Sequence, residues 1–424
     1  MRAKFLNNSS SRLLLSAMLL IGISVAPLPG GDRLQRAGAA EADTTSFDAG
    51  VNAASHGLLT DADNLLRKAW TNPARRNDAA TALWSLHKKD DFKLPIDEDM
   101  IRELQQQLGA GFFRYETKHF VILSDCNTQW TRAKSSLLER TRHQFYRVAR
   151  RLKMSAVPHE KKLLCILFDE HDRYLDFAHM NDGLIAPWVA GYYATRSNRV
   201  VFFNDTTSPT FSDAFEKLKA YEQDVFETRA KARQARNERQ DDLADRLWAT
   251  AEDLDRQISR ERNRLNRQAS EFSTSKTIHE AIHLLAFNSG IQSPNHDYPF
   301  WLSEGLAATF ETTTPDTPFG PDIETPNRQE KFHRLCDKNE LLALERLVTL
   351  TEVPDNDAEL AEVMYNQSYA LVTYLFKHER DAFARYMSAI NDLPAGRMSS
   401  SEHLSLFKEH FGDLAIVEHR LKRW

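Results

Sequence analysis

The stretch from Ser275 to Glu311, SKTIHEAIHLLAFNSGIQSPNHDYPFWLSEGLAATFE, constrains the fold more than any other part of the chain. His279 and His283 stand four residues apart, with Glu280 between them. On an α-helix that spacing places both imidazoles on one face, one turn apart. Thr277, Ile278, Ala281, Ile282, Leu284, Leu285, Ala286 and Phe287 make the same helix apolar on nearly every other side. Such a helix must be buried. Gly290 follows as a C′ residue. Pro299 suits the first turn of a second helix, with Asp297 as its cap, and that helix carries Glu304 about a turn in. The chain must therefore lay a ligand helix, a loop and a second helix side by side.

Two imidazoles so placed can share one Zn²⁺, and Glu280 then sits beside the metal rather than on it. A hydrolytic zinc needs a third protein ligand and an open position for water; Glu304 in Trp301-Leu302-Ser303-Glu304-Gly305 is the natural third ligand. Glu280 can take the proton of that water as it attacks a metal-polarised carbonyl. The plainer reading is a buried helix whose histidines make ordinary hydrogen bonds. A buried carboxylate between them argues against it, because such a group is costly without a partner. His296, in the loop between the ligands, could act on substrate; His333 and His378 carry no positional argument.

HEAIH followed by WLSEG resembles the gluzincin metallopeptidases, the thermolysin-like and peptidase-MA-like clan. The likeness extends from about Tyr115 to the C-terminus, apart from one insertion, and is greatest to an uncharacterised branch of secreted bacterial proteins. Its further marks are the strand-like Lys118–Asp125, the segment Gly191–Tyr193, and Tyr365-Asn366-Gln367-Ser368. The resemblance implies an edge strand, Val200–Phe203 or its neighbour, that grips extended substrate. It also implies an oxyanion donor from the downstream helices, Tyr365 first and Tyr369 second. Many gluzincins place an Asp one turn after the Glu ligand to orient the first His. Here Ala308 stands there, and Glu311, two turns on from Glu304, is the open substitute.

Of the 424 residues, 55 are Lys or Arg and 60 Asp or Glu, a mixed and mildly acidic balance that argues against nucleic acid as partner. Cys126, Cys165 and Cys336 are not at zinc-site spacing and need form no disulfide. Arg2 and Lys4 precede an apolar run from Leu13 to Ala26, which reads as an export signal. Ala40-Glu41-Ala42 fits a small-x-small cleavage site. The run is short for a membrane span, and an uncleaved anchor is the lesser alternative.

Residues 1–42 are thus the signal and leader, and 43–110 a helical N-terminal region. Residues 111–209 form a sheet subdomain with strands at His119–Ser124, Leu163–Phe168 and Val200–Asn204. From Ser212 to Ser270 the chain has neither Gly nor Pro and is largely charged. Ala214, Leu218, Tyr221, Val225, Thr228, Ala232 and Ala235 follow a heptad-like stripe, whereas Leu243, Leu247, Leu254, Ile258, Leu265 and Ala269 suggest an eleven-residue period. Residues 210–272 are expected to form an antiparallel helical hairpin of coiled-coil type turning near Asn237–Asp242, with a single long helix as the alternative, and to serve either as a solvated arm or as one that gates substrate or holds a partner. The zinc-site helices and loop occupy 273–326, and a helical subdomain 327–424.

The expected fold is α+β: a small mixed sheet beside the zinc helices, a helical C-terminal half and an inserted charged hairpin. The expected function is an exported zinc-dependent peptidase with one catalytic Zn²⁺ on His279, His283 and Glu304, Glu280 as base, and a peptide or protein as substrate. Two alternatives stand beside it. One is a non-catalytic zinc-containing protein that holds a partner through the arm; the other is zinc hydrolysis of a non-peptide amide.

Overall fold

Five short strands form the sheet: β1 (Phe113–Glu116), β2 (Phe120–Ser124), β3 (Leu163–Phe168), β4 (Gly191–Ala194) and β5 (Arg199–Phe203). They come from a computed structural model that describes residues 44–184, 189–354 and 357–424. The apolar run Leu13–Ala26 and the leader lie outside the described residues. Strand order is β1-β2-β3-β5-β4. β2, β3 and β5 run parallel, while β1 and β4 close the two edges antiparallel.

Both faces of the sheet are covered, which explains why Leu163–Phe168 and Arg199–Phe203 are runs rather than alternations. Phe120, Ile122, Cys165, Leu167, Val200 and Phe202 face the main core. Their neighbours Val121, Leu123, Leu164, Ile166, Val201 and Phe203 face a second core. That second core is closed by α4 (Glu98–Leu108) and α6 (His171–Asp182). Ahead of them, α1 (Thr44–Ser55), α2 (Leu59–Trp70) and α3 (Arg76–Leu86) pack around a small core of their own.

The main core lies between the sheet, α5 (Thr128–Arg151), the ligand helix α8 (Asp241–Asn288) and α9 (Phe300–Ala308). The C-terminal helices close it: α10 (Pro326–Asp337), α11 (Leu344–Thr349), α12 (Ala358–His378), α13 (Arg380–Asp392), α14 (Ser400–Phe411) and α15 (Leu414–Arg423). The architecture is mixed α+β, as the sequence predicts. All three cysteines are free. Among the described residues no helix is long and apolar enough to cross a membrane.

The charged insertion is an antiparallel pair, α7 (Pro209–Asn237) against the first half of α8, tied by Arg229–Asp255 and Arg262–Glu222. α8 does not stop where the arm ends. It runs unbroken for 48 residues into the ligand motif, about 72 Å at the usual helical rise. The seam departs from the eleven-residue expectation. Phe211, Leu218, Val225 and Ala232 on α7, and Ala244, Ala251, Ile258 and Leu265 on α8, are buried at steps of seven, with Ala235 and Ala269 buried beside them. Leu243 is exposed instead, and the buried positions nearest the turn on α8 fall to Ala244 and Ala251.

Of the two candidates for the edge strand, the first is excluded. β5 lies between β3 and β4, so Val200–Phe203 has both sides paired and cannot take up a further strand. Its neighbour β4 is the edge that meets α8.

Candidate metal centre

His279 and His283 project from α8 toward Glu304 on α9, and all three are buried. α9 begins differently from the expectation. Pro299 is the N-cap rather than a first-turn residue, and Asp297 pairs with Arg397 instead of capping. The Phe300 N–H donates to the Leu350 carbonyl, 2.8 Å away, which anchors the start of the helix. Gly290 lies just past α8 with φ +77°, as a C′ residue should. Gly305 serves close approach: a Cβ there would stand 2.7 Å from the Ser368 carbonyl oxygen on α12. Glu304 is thereby pressed between α8 and α12.

The Nε2 atoms of His279 and His283 are 3.2 Å apart. Glu304 Oε2 lies 3.0 Å from His279 Nε2, and its Oε1 3.4 Å from His283 Nε2. Two ligands on a tetrahedral ion with bonds of roughly 2.0–2.1 Å stand about 3.3 Å apart, so these atoms have the spacing of a shared ion. Burial works against charge on His279, but its hydrogen bonds to Glu304 and Glu311 outweigh that and raise it to about 10. Burial would likewise raise Glu304; the charge on His283 and the bonds to both imidazoles hold it down at about 2. A field that stabilises positive charge so strongly suits a cation. The group could hold a metal ion.

Beyond the three ligands lies a chain of contacts that the motif does not announce. Glu311 Oε1 is 2.9 Å from His279 Nδ1. A carboxylate accepts, so Nδ1 carries the proton and Nε2 offers its lone pair to the centre. Arg328 holds Glu311 through two bonds of 2.9 and 2.8 Å, and donates to Asn366 Oδ1 at 3.3 Å. Glu311 therefore takes the orienting position that Ala308 leaves empty.

Glu280 sits beside the triad and not in it. The Tyr193 N–H, on the outward edge of β4, donates to Glu280 Oε2 at 2.9 Å. Burial raises the Glu280 pKa; the charges of His279 and His283 only partly oppose this. Tyr365 faces the same centre, its ring 6.1 Å from that of His279 and its hydroxyl hydrogen-bonded to Glu304. Burial, then the charges of Glu304 and Glu280, raises its pKa and keeps it a donor.

Tyr369 points elsewhere, its oxygen accepting the Thr325 N–H at 2.9 Å. The rest of the Tyr365–Ser368 motif is structural. Asn366 meets Arg328, Gln367 makes paired bonds to the Leu342 backbone, and the Ser368 carbonyl abuts Gly305. His296 lies apart, bonded to Leu393. His333 and His378 contact Phe332 and Tyr374 and have no part in the centre.

Fold and centre define an α+β protein with a buried His-His-Glu group able to hold a metal ion. Residues 273–394, from the ligand end of α8 through α13, match a family model described as "Protein of unknown function (DUF1570)". No curated protein and no solved structure matches the chain.

Proposed function

We propose that this protein is an exported zinc-dependent metallopeptidase of gluzincin type. His279, His283 and Glu304 hold the ion, and their two-nitrogen, one-carboxylate donor set suits zinc. Zinc bound there would acidify a water and polarise a substrate carbonyl. Glu280 accepts the water's proton and returns it to the leaving nitrogen, and its raised pKa suits both transfers. Tyr365 donates its hydroxyl hydrogen to the developing oxyanion. Glu311 keeps the His279 tautomer fixed throughout. The hairpin arm is the proposed meeting place for a partner protein; Phe226 stands 62 % exposed on it.

Glu280 carries this reading. It is a buried carboxylate next to the triad, aligned by a backbone N–H and without a Lys or Arg ion pair among the described residues. A site that only braces the fold has no use for such a group. The test pairs zinc content with cleavage of a mixed unfolded-protein substrate, for wild type and Glu280→Gln. About one zinc in each, with cleavage by wild type alone, is the expected result. Zinc in both and cleavage by neither would favour the binding-protein alternative.

A further inference from the structure

A crevice of about 790 Å³ opens beside the C-terminal end of α8. Its walls come from the end of α2, the connection between α5 and β3, the α8–α9 loop, and α13. Phe287 lines it and lies four residues beyond His283 on nearly the same helix face, about 6 Å along the axis. Tyr193 stacks on Phe287 with ring centroids 5.5 Å apart, and the same Tyr193 holds Glu280. Phe287 and Tyr193 thus connect the crevice to the centre.

Most charge on these walls is already paired. Arg76 meets Asp392 at 2.9 Å and Arg67 meets Asp63 at 2.6 Å, while Glu160 is exposed. Apart from the exposed Glu160 carboxylate and the Arg76 Nε–H, which is buried without a partner among the described residues, what remains unpaired is neutral. Gln292 is 1 % exposed, and neither its amide oxygen nor its amide nitrogen has a partner among the described residues. His296 Nε2 lies 2.8 Å from the Leu393 carbonyl oxygen. A carbonyl only accepts, so Nε2 bears the proton and Nδ1 keeps a lone pair, which is also without a partner.

The wall therefore holds two idle acceptors, on Gln292 and His296, and two idle donors, the Gln292 NH₂ and the Arg76 Nε–H. Buried polar atoms left unpaired are costly, so each needs a reason. A peptide group supplies both an N–H and a C=O, which this set complements. Gln292 turns about three side-chain bonds, and rotamer changes of that size are common on binding.

We propose that the crevice binds an uncharged, extended polypeptide segment, with Gln292 and His296 hydrogen-bonding its main-chain amides. The proposal rests on the peptidase reading only in making that segment the flank of a substrate whose scissile bond lies at Glu280.

The test uses zinc-loaded full-length Glu280→Gln protein and a fluorescein-labelled pool of uncharged, unstructured peptides, read by anisotropy. Adding Gln292→Leu removes the amide without breaking a protein hydrogen bond, so thermal stability should hold or rise. Peptide affinity should fall roughly three- to ten-fold, and His296→Phe should act in the same direction. Unchanged affinity in a folded Gln292→Leu protein overturns the proposal. So does failure of the parent to bind the pool, or displacement of the pool by neutral oligosaccharide more readily than by unlabelled peptide. Cleavage by wild type, measured separately, decides the peptidase reading alone.

Discussion

Glu311 fixes how His279 presents itself to a metal. It receives the Nδ1 proton and is itself held by Arg328, so ring orientation and tautomer follow from one buried ion pair. Glu311→Gln keeps an acceptor near Nδ1 but removes the charge and leaves Arg328 unmatched. Zinc affinity should fall about 10- to 100-fold, measured by competition with a chromophoric chelator. An unchanged affinity would mean that packing alone orients the ring. The contrast with His279, Glu280, His283 and Glu304 explains what the sequence makes legible. Those four lie on two helices joined by a short loop, and helical spacing places them together. Glu311 lies beyond the end of α9, and Arg328 on α10, so their meeting with His279 depends on how the chain folds back. Ala308, one turn after Glu304 where many gluzincins carry an Asp, is the one local hint of a substitute.

At the scale of elements, the ligand helix is held from one side by a buried amine. Lys134 on α5 donates to the Ser273 carbonyl, the Ser273 hydroxyl and the Thr277 hydroxyl at 3.0, 2.6 and 2.8 Å. No carboxylate pairs with it directly among the described residues. Burial pulls its pKa down to about 7 against the opposing charge of Asp205, whereas an unfolded lysine keeps its proton to about 10.5. Between those values the unfolded chain binds more protons than the folded one, so this group's contribution to stability rises with pH. The melting temperature of wild type minus that of Lys134→Met should therefore increase from about pH 7 to pH 9 by several degrees. A difference that stays flat or falls would show that Lys134 keeps its proton in the fold. Nothing in the sequence separates Lys134 from the exposed lysines, because its burial comes from α5 packing on α8. Strand order is hidden for a similar reason. β4 and β5 are both apolar, and only the pairing of β5 with β3 shows which of them is the edge. The continuity of α8 is more legible, since no Gly or Pro interrupts it from Asp241 to Asn288.

At the scale of the molecule, the centre gathers parts from distant places in the chain. β4 supplies the Tyr193 N–H, α8 and α9 the ligands, α10 the Arg328 guanidinium and α12 Tyr365 and Asn366. These elements share the main core, so an ion that joins three of their side chains should also stabilise their packing. Binding to the folded state alone contributes RT ln(1 + [L]/Kd), about 2.7 kcal/mol when free metal exceeds Kd a hundredfold. With no ion bound, His279 takes up a proton and faces a Glu304 carboxylate that stays ionised, so a buried ion pair replaces only part of what the metal would hold together. A strong chelator should therefore lower the melting temperature of the wild type, and stoichiometric zinc should restore it. His279→Ala should start lower and respond to neither addition. The N-terminal helices α1–α3, with their separate core, should melt with little dependence on metal, so the shift belongs to the transition reported by near-ultraviolet signals of the buried Trp301. If zinc is present by elemental analysis yet the wild-type transition is the same with and without chelator, the ion does not brace the fold. The three ligands would then be held in place by the surrounding helices before any metal arrives, and the role of the metal would be confined to chemistry.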